Sequence, residues 1–224
     1  MSRFVISLVA MLGAVSSMLL LGPEWTANQQ SLLSQRSFVE NIESGAVASM
    51  APARSIRVQK RQMQNCTDWQ YNTRHAFYPP ETQTRLAQVC SDGAARILER
   101  TPTTSAAWMA LAISHWNLSD APAALKSLAR AQETGRHEGW MSVRRLDIAL
   151  RIGFDDQTEP ALRTEALTLG AREMPALFDG NRMVDQLVGI YQRAPWARDW
   201  FTERLEEEPP GIQRQFLRRL RAAS

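Results

Sequence analysis

From about residue 66 almost to the end of the chain, apolar residues recur every three or four positions. This spacing restricts the chain to helices that each bury one face. Leu86, Val89, Cys90, Ala94, Ile97 and Leu98 form one stripe, and Trp108, Leu111, Ala112 and His115 form another. Further stripes follow at Leu125, Leu128, Ala129 and Ala131, at Leu146, Ala149 and Leu150, and at Leu162, Ala166 and Leu169. Val184, Leu187, Val188 and Tyr191 come next, then Trp196, Trp200, Phe201 and Leu205, and finally Ile212, Phe216, Leu217 and Leu220. Strand-like alternation is not sustained anywhere in the sequence, and no Asn-Gly or Asp-Gly turn joins two alternating segments. The expected fold class is all-α, with residues 66–224 as the folded domain.

A different pattern opens the chain. Phe4–Leu21 reads FVISLVAMLGAVSSMLLL and carries no charge. As a helix its length is about 27 Å, enough to cross a hydrocarbon core. Arg3 precedes the run, and Pro23, Glu24 and Trp25 follow it. Positive charge ahead of the span favours a cytoplasmic N-terminus and a translocated remainder, with Trp25 as an interfacial anchor. A cleaved signal peptide is the alternative, but a cut after Ala27 places the bulky Trp25 at −3. Residues 1–25 are therefore expected to form a single-pass signal-anchor.

Residues 26–65 are rich in Gln, Ser, Asn, Ala and Arg and are expected to be a stalk or linker. Leu32, Leu33, Val39 and Ile42 fit one short amphipathic helix, which Gly45 ends, and Pro52 breaks the stretch that follows. The RSIRVQKR run at 54–61 carries four basic residues and is expected to be solvated, with anionic lipid or an acidic partner as the alternative.

Cys66 and Cys90 are the only cysteines, 24 positions apart. In an oxidising compartment they are expected to form a disulfide. Neither has a Cys or His neighbour at a metal-ligand spacing, and no CxxC motif is present. Only Lys60 and Lys126 are lysines among 26 basic residues. Such an arginine bias accompanies GC-rich bacterial genomes. The net charge of +3, interleaved with acids, reads as solvated helix faces and not as a nucleic-acid surface.

The stretch 105–136 resembles a tetratricopeptide repeat, a helix–turn–helix of 34 residues. With Trp108 at the fourth position of the repeat, Leu111 and Ala112 fall at the seventh and eighth. Ala124, Leu128 and Ala131 then fall at the twentieth, twenty-fourth and twenty-seventh, and Pro102 takes the thirty-second place of a preceding repeat. His115 replaces the family's aromatic at the eleventh position, and Arg136 its proline at the thirty-second. Flanking segments 71–104 and 143–176 are degenerate. Pro79 and Pro80 shorten any first helix in the former, and the latter runs four residues late. The resemblance implies an α-hairpin stack in which Trp108 and Leu111 pack between repeats. It also implies a concave partner-binding groove lined by Met109, Ile113, Trp116 and Asn117.

No constellation for catalysis emerges. His75, His115 and His137 are isolated, and Asp155 and Asp156 read as a turn. Ser114, His115 and Asp120 share one local segment, whereas a triad converges from separate elements. Phosphate-loop, dinucleotide and zinc-protease motifs are missing, and neither a cofactor nor a metal is expected. The expectation is a bacterial inner-membrane protein with a periplasmic helical domain. It would act as a scaffold or assembly factor for an envelope complex of polysaccharide export, secretion or cytochrome maturation. A structural accessory subunit and a periplasmic hydrolase are the alternatives.

Overall fold

A computed structural model describes residues 21–136, 138–178 and 180–223, together with Met11. Every regular element among them is helical, so the fold is all-α. The chain divides into two compact units between Pro102 and Thr103.

Among the described residues the first unit holds four helices: residues 21–32 (α1), Gln35–Glu43 (α2), Ile56–Tyr71 (α3) and Pro80–Arg100 (α4). Ser34 starts α2 by accepting a hydrogen bond from Ser37 N, and Gly45, at φ +76°, turns the chain away after its end. Phe38, Val39 and Ile42 line the buried face of α2, and the Phe38 ring packs at 4.5 Å from that of Trp69 on α3. A 3-10 turn at Thr73–Phe77 occupies the place where Pro79 and Pro80 exclude a longer helix, and α4 begins at Pro80. The Cys66–Cys90 disulfide joins α3 to α4 with the Cα atoms 5.7 Å apart.

Residues 26–65 are thus not the stalk expected from their composition. Their glutamines do the work of a core. Gln59 and Gln62 are buried and donate to the Ala53 and Ala51 carbonyls at 2.9 and 3.0 Å, and Gln30 accepts from Ala51 N at 2.7 Å. Arg96 donates to Met50 O at 2.9 Å. Side chains thus satisfy the backbone at Met50, Ala51 and Ala53, in a connection that has no secondary structure of its own.

The second unit contains two helix hairpins, Ser105–Asn117 with Ala121–Thr134 (α5, α6) and Gly139–Gly153 with Pro160–Ala171 (α7, α8). Asp120 caps α6 by accepting from Ala123 N at 3.0 Å, with Pro122 in the first turn. Ala112 and Ala124 are fully buried, as the close approach of α5 and α6 requires. The second hairpin stacks on the first, α7 against α5 and α6 and α8 against α6. Gly153 sits at a close crossing, since a Cβ there would lie 2.5 Å from Leu167 Cδ2 on α8.

A short turn of helix at Met174–Leu177 (α9) leads into Asn181–Arg193 (α10), Arg198–Glu206 (α11) and Pro210–Ala222 (α12). These close the second unit over a core of Leu146, Leu150, Leu177, Leu187, Phe201 and Phe216. Among the described residues no helix is long and apolar enough to cross a membrane. The expected span Phe4–Leu21 lies outside them except for Met11 and Leu21.

Candidate partner-binding surface

The groove expected on α5 does not form as a row of four exposed side chains. Met109 and Ile113 are fully buried, whereas Trp116 and Asn117, near the end of the helix, are half-buried. Trp108 and Leu111, expected on the packing side, are also half-buried. The physical reason lies in the composition of α5. Ala106, Ala107, Ala110 and Ala112 are interspersed with the larger apolar residues, so no polar face sets the rotation of the helix. Without that face, repeat register alone is a weak guide to which apolar residues stay open.

What fixes the hairpin stack is a buried polar cluster that the sequence pattern did not mark. Arg145 lies in the middle of α7, and Glu173 lies in the turn after α8. Arg145 Nε donates to Glu173 Oε1 at 2.6 Å and Nη2 to Oε2 at 2.8 Å, a two-pronged pairing. Both side chains are almost wholly buried. The remaining Arg145 donors reach Ser142 Oγ at 3.0 Å and the Ala131 and Gly135 carbonyls at 3.3 Å. Gln132 on α6 donates to Glu173 Oε1 at 2.7 Å. One guanidinium therefore ties together α6, its C-terminal carbonyls, α7 and the turn after α8. Complete satisfaction of both ions assigns the cluster to structure, because neither has an open face for a substrate.

Among the described residues of the second unit, two surface depressions bear on binding. An apolar trough of about 260 Å³ lies across α10, α11 and α12, with Tyr191 and Phe216 in contact and Leu205, Leu217 and Leu220 along it. Its shape is held by aromatic packing, since the Tyr191 ring meets Phe201 edge-on at 5.7 Å and Phe216 at 5.5 Å. The Arg198 guanidinium sits 5.6 Å from the centre of the Tyr191 ring. Leu217 is 48% exposed, and Thr202, Glu206 and Gln213 supply polar edges. The trough is smaller than the roughly 300–1,000 Å³ of clefts that enclose small ligands. Its size suits a few apolar side chains from another polypeptide. A wider cleft of about 550 Å³ lies beside the start of α7, lined by Gly139, Phe178, Met183 and Ile212 with Arg136 as its one charged side chain among the described residues.

The remaining chemical candidates have structural settings. Asp155 accepts from Thr158 Oγ1 at 2.7 Å and from Gln157 N at 3.3 Å, so the Asp155–Asp156 pair is the expected turn. His75 is buried in the 3-10 turn, with Nε2 lacking a hydrogen-bond partner among the described residues. Burial pushes its pKa below the ordinary histidine value, so the neutral ring is favoured. His115 is half-buried on α5, and His137 lies outside the described residues. Among the described residues no three His, Cys, Asp or Glu side chains gather where a metal ion would fit. No protein-family model matches the chain, and no curated protein or solved structure matches it either.

Proposed function

We propose that this chain is a membrane-anchored scaffold or assembly factor, with a tetratricopeptide-like hairpin stack that binds a protein partner in the bacterial periplasm. The single observation that carries the binding role is the apolar trough across α10–α12, where Leu217 is left half exposed on a helix whose other large apolar residues pack inward. An amphipathic helical segment of an envelope protein is the occupant its chemistry suits. Apolar anchors would fill the space above Tyr191 and Phe216, while Thr202, Glu206 and Gln213 would fix orientation. The hairpins α5–α6 and α7–α8 support the repeat reading, because helix–turn–helix pairs stacked on one another are what a tetratricopeptide-like domain consists of.

Placement outside the cytoplasm rests on two observations of different kinds. The uncharged Phe4–Leu21 run follows Arg3, which favours a cytoplasmic N-terminus and an inner-membrane anchor. The only two cysteines of the chain are joined, as an oxidising compartment permits. The groove at Trp116 and Asn117 is retained only as a secondary contact, since Met109 and Ile113 are closed to solvent.

The test is site-specific photo-crosslinking in intact membranes. A photoreactive side chain in place of Leu217 should give one discrete protein adduct. The same probe at Thr168, exposed on α8, should not. Equal adduct patterns at both positions, or none at Leu217, would remove the trough from the account.

A further inference from the structure

One end of the first unit gathers features that the partner-binding reading does not use. Glu24, three residues beyond the uncharged run, reaches across to the segment before α3. Its carboxylate accepts from Arg54 N at 2.6 Å and from Ser55 N at 3.2 Å. Ala27, one helical turn on, packs with Ala53 and Val58 in a small buried cluster. Together these contacts fix the start of α3 beside the first described turn of α1. The RSIRVQKR segment is therefore not a free linker. Its first residues are held at the place where the chain leaves the Phe4–Leu21 run.

What this end exposes is unusual for a protein surface. Leu21 is 65% exposed, Trp25 67% and Ile56 73%. Leu21 and Trp25 are four apart on α1 and so share a face, while Ala27 is wholly buried. Arg54, Arg57 and Lys60 are exposed around Ile56. Glu24, next to Trp25 in the chain, is turned onto backbone amides. Exposed aromatic and aliphatic groups ringed by guanidinium and ammonium groups match the headgroup layer of an anionic bilayer.

We propose that this surface (Trp25 and Ile56 with Arg54, Arg57 and Lys60) docks on anionic lipid headgroups and holds the first unit against the membrane. The inference rests on the anchor reading given above. It departs from the picture of a domain raised on a stalk, because the Glu24 contacts leave no slack between the uncharged run and α3. Anionic phospholipid is favoured over an acidic protein partner by continuity, since the uncharged run ends at Leu21, on the same helical face as Trp25.

The test uses the full chain in nanodiscs of neutral phosphatidylcholine, or of phosphatidylcholine with one-third phosphatidylglycerol. Hydrogen–deuterium exchange is read across residues 52–62. Exchange should slow by at least about five-fold in the anionic discs, the effect of a single basic side chain reaching the headgroups. The difference should vanish in half-molar salt and in the Arg54→Gln, Arg57→Gln chain. Equal exchange in both lipids, with the chain inserted, overturns the docking surface and leaves the anchor standing. A chain that does not co-elute with lipid at all overturns both.

Discussion

Arg145 and Glu173 face each other at 2.6 Å in the interior of the second unit, with the whole guanidinium taken up by protein acceptors. Removing one partner leaves the other charged and buried. Glu173→Gln should therefore destabilise the domain by about 3–5 kcal/mol. Replacing both residues with Met should cost less than the single change, since no lone ion remains. Urea denaturation of the three chains measures the order, and a Glu173→Gln loss under about 1 kcal/mol would contradict it.

The Cys66–Cys90 bond closes a loop of 24 positions between α3 and α4. Replacing both cysteines with serine should lower stability by about 3 kcal/mol. Mass mapping without reductant should recover the linked peptides from protein taken from its own compartment. Two alkylatable thiols there would count against a periplasmic site.

Gly153 lies where α7 crosses α8, and an added Cβ would stand 2.5 and 2.6 Å from Leu167 Cδ2 and Cγ. Gly153→Ala should cost about 1–3 kcal/mol from overpacking, against a helix propensity that alone favours Ala. Adding Leu167→Ala should recover part of the loss, a non-additive result that double-mutant thermal melts would show. Stabilisation by Gly153→Ala would mean that the crossing is looser than the structure has it.

The all-α class from residue 66 onward was legible in the sequence, because threefold and fourfold apolar spacing acts locally, and so was the start of α6 at Asp120 and Pro122. The disulfide was legible because only one pair existed. Four things were not. Gln59 and Gln62 look like linker residues until their amides are seen feeding the 51–53 carbonyls, a tertiary use that composition hides. The open face of α5 was misread because Met109 and Ile113 sit among alanines, with no polar stripe to set the rotation. The α10–α12 trough falls outside the repeat register altogether. Arg145 and Glu173, 28 positions apart, carry no signal short of the fold itself.

His75 is buried, and its pKa is held low by loss of hydration. A histidine depressed in the folded state contributes stability that is present above its unfolded value of about 6.5. That stability is lost as pH falls through the lower folded value. Between pH 7 and 5 the wild-type chain should therefore lose stability more steeply than His75→Gln. Parallel pH profiles from chemical denaturation would show that the ring is not closed off from water.

Partner binding rests most directly on the half-exposed Leu217, at the edge of a trough whose floor is already packed by Tyr191 and Phe216. The measurement is a paired one on Leu217→Glu in the full chain, combining a thermal melt with the yield of the adduct captured from a neighbouring trough position, Leu220. The expected result is a melting temperature within about 2–4 °C of wild type, as for a change of about 1 kcal/mol or less, together with loss of the adduct. An adduct of undiminished yield from a folded Leu217→Glu chain would contradict it.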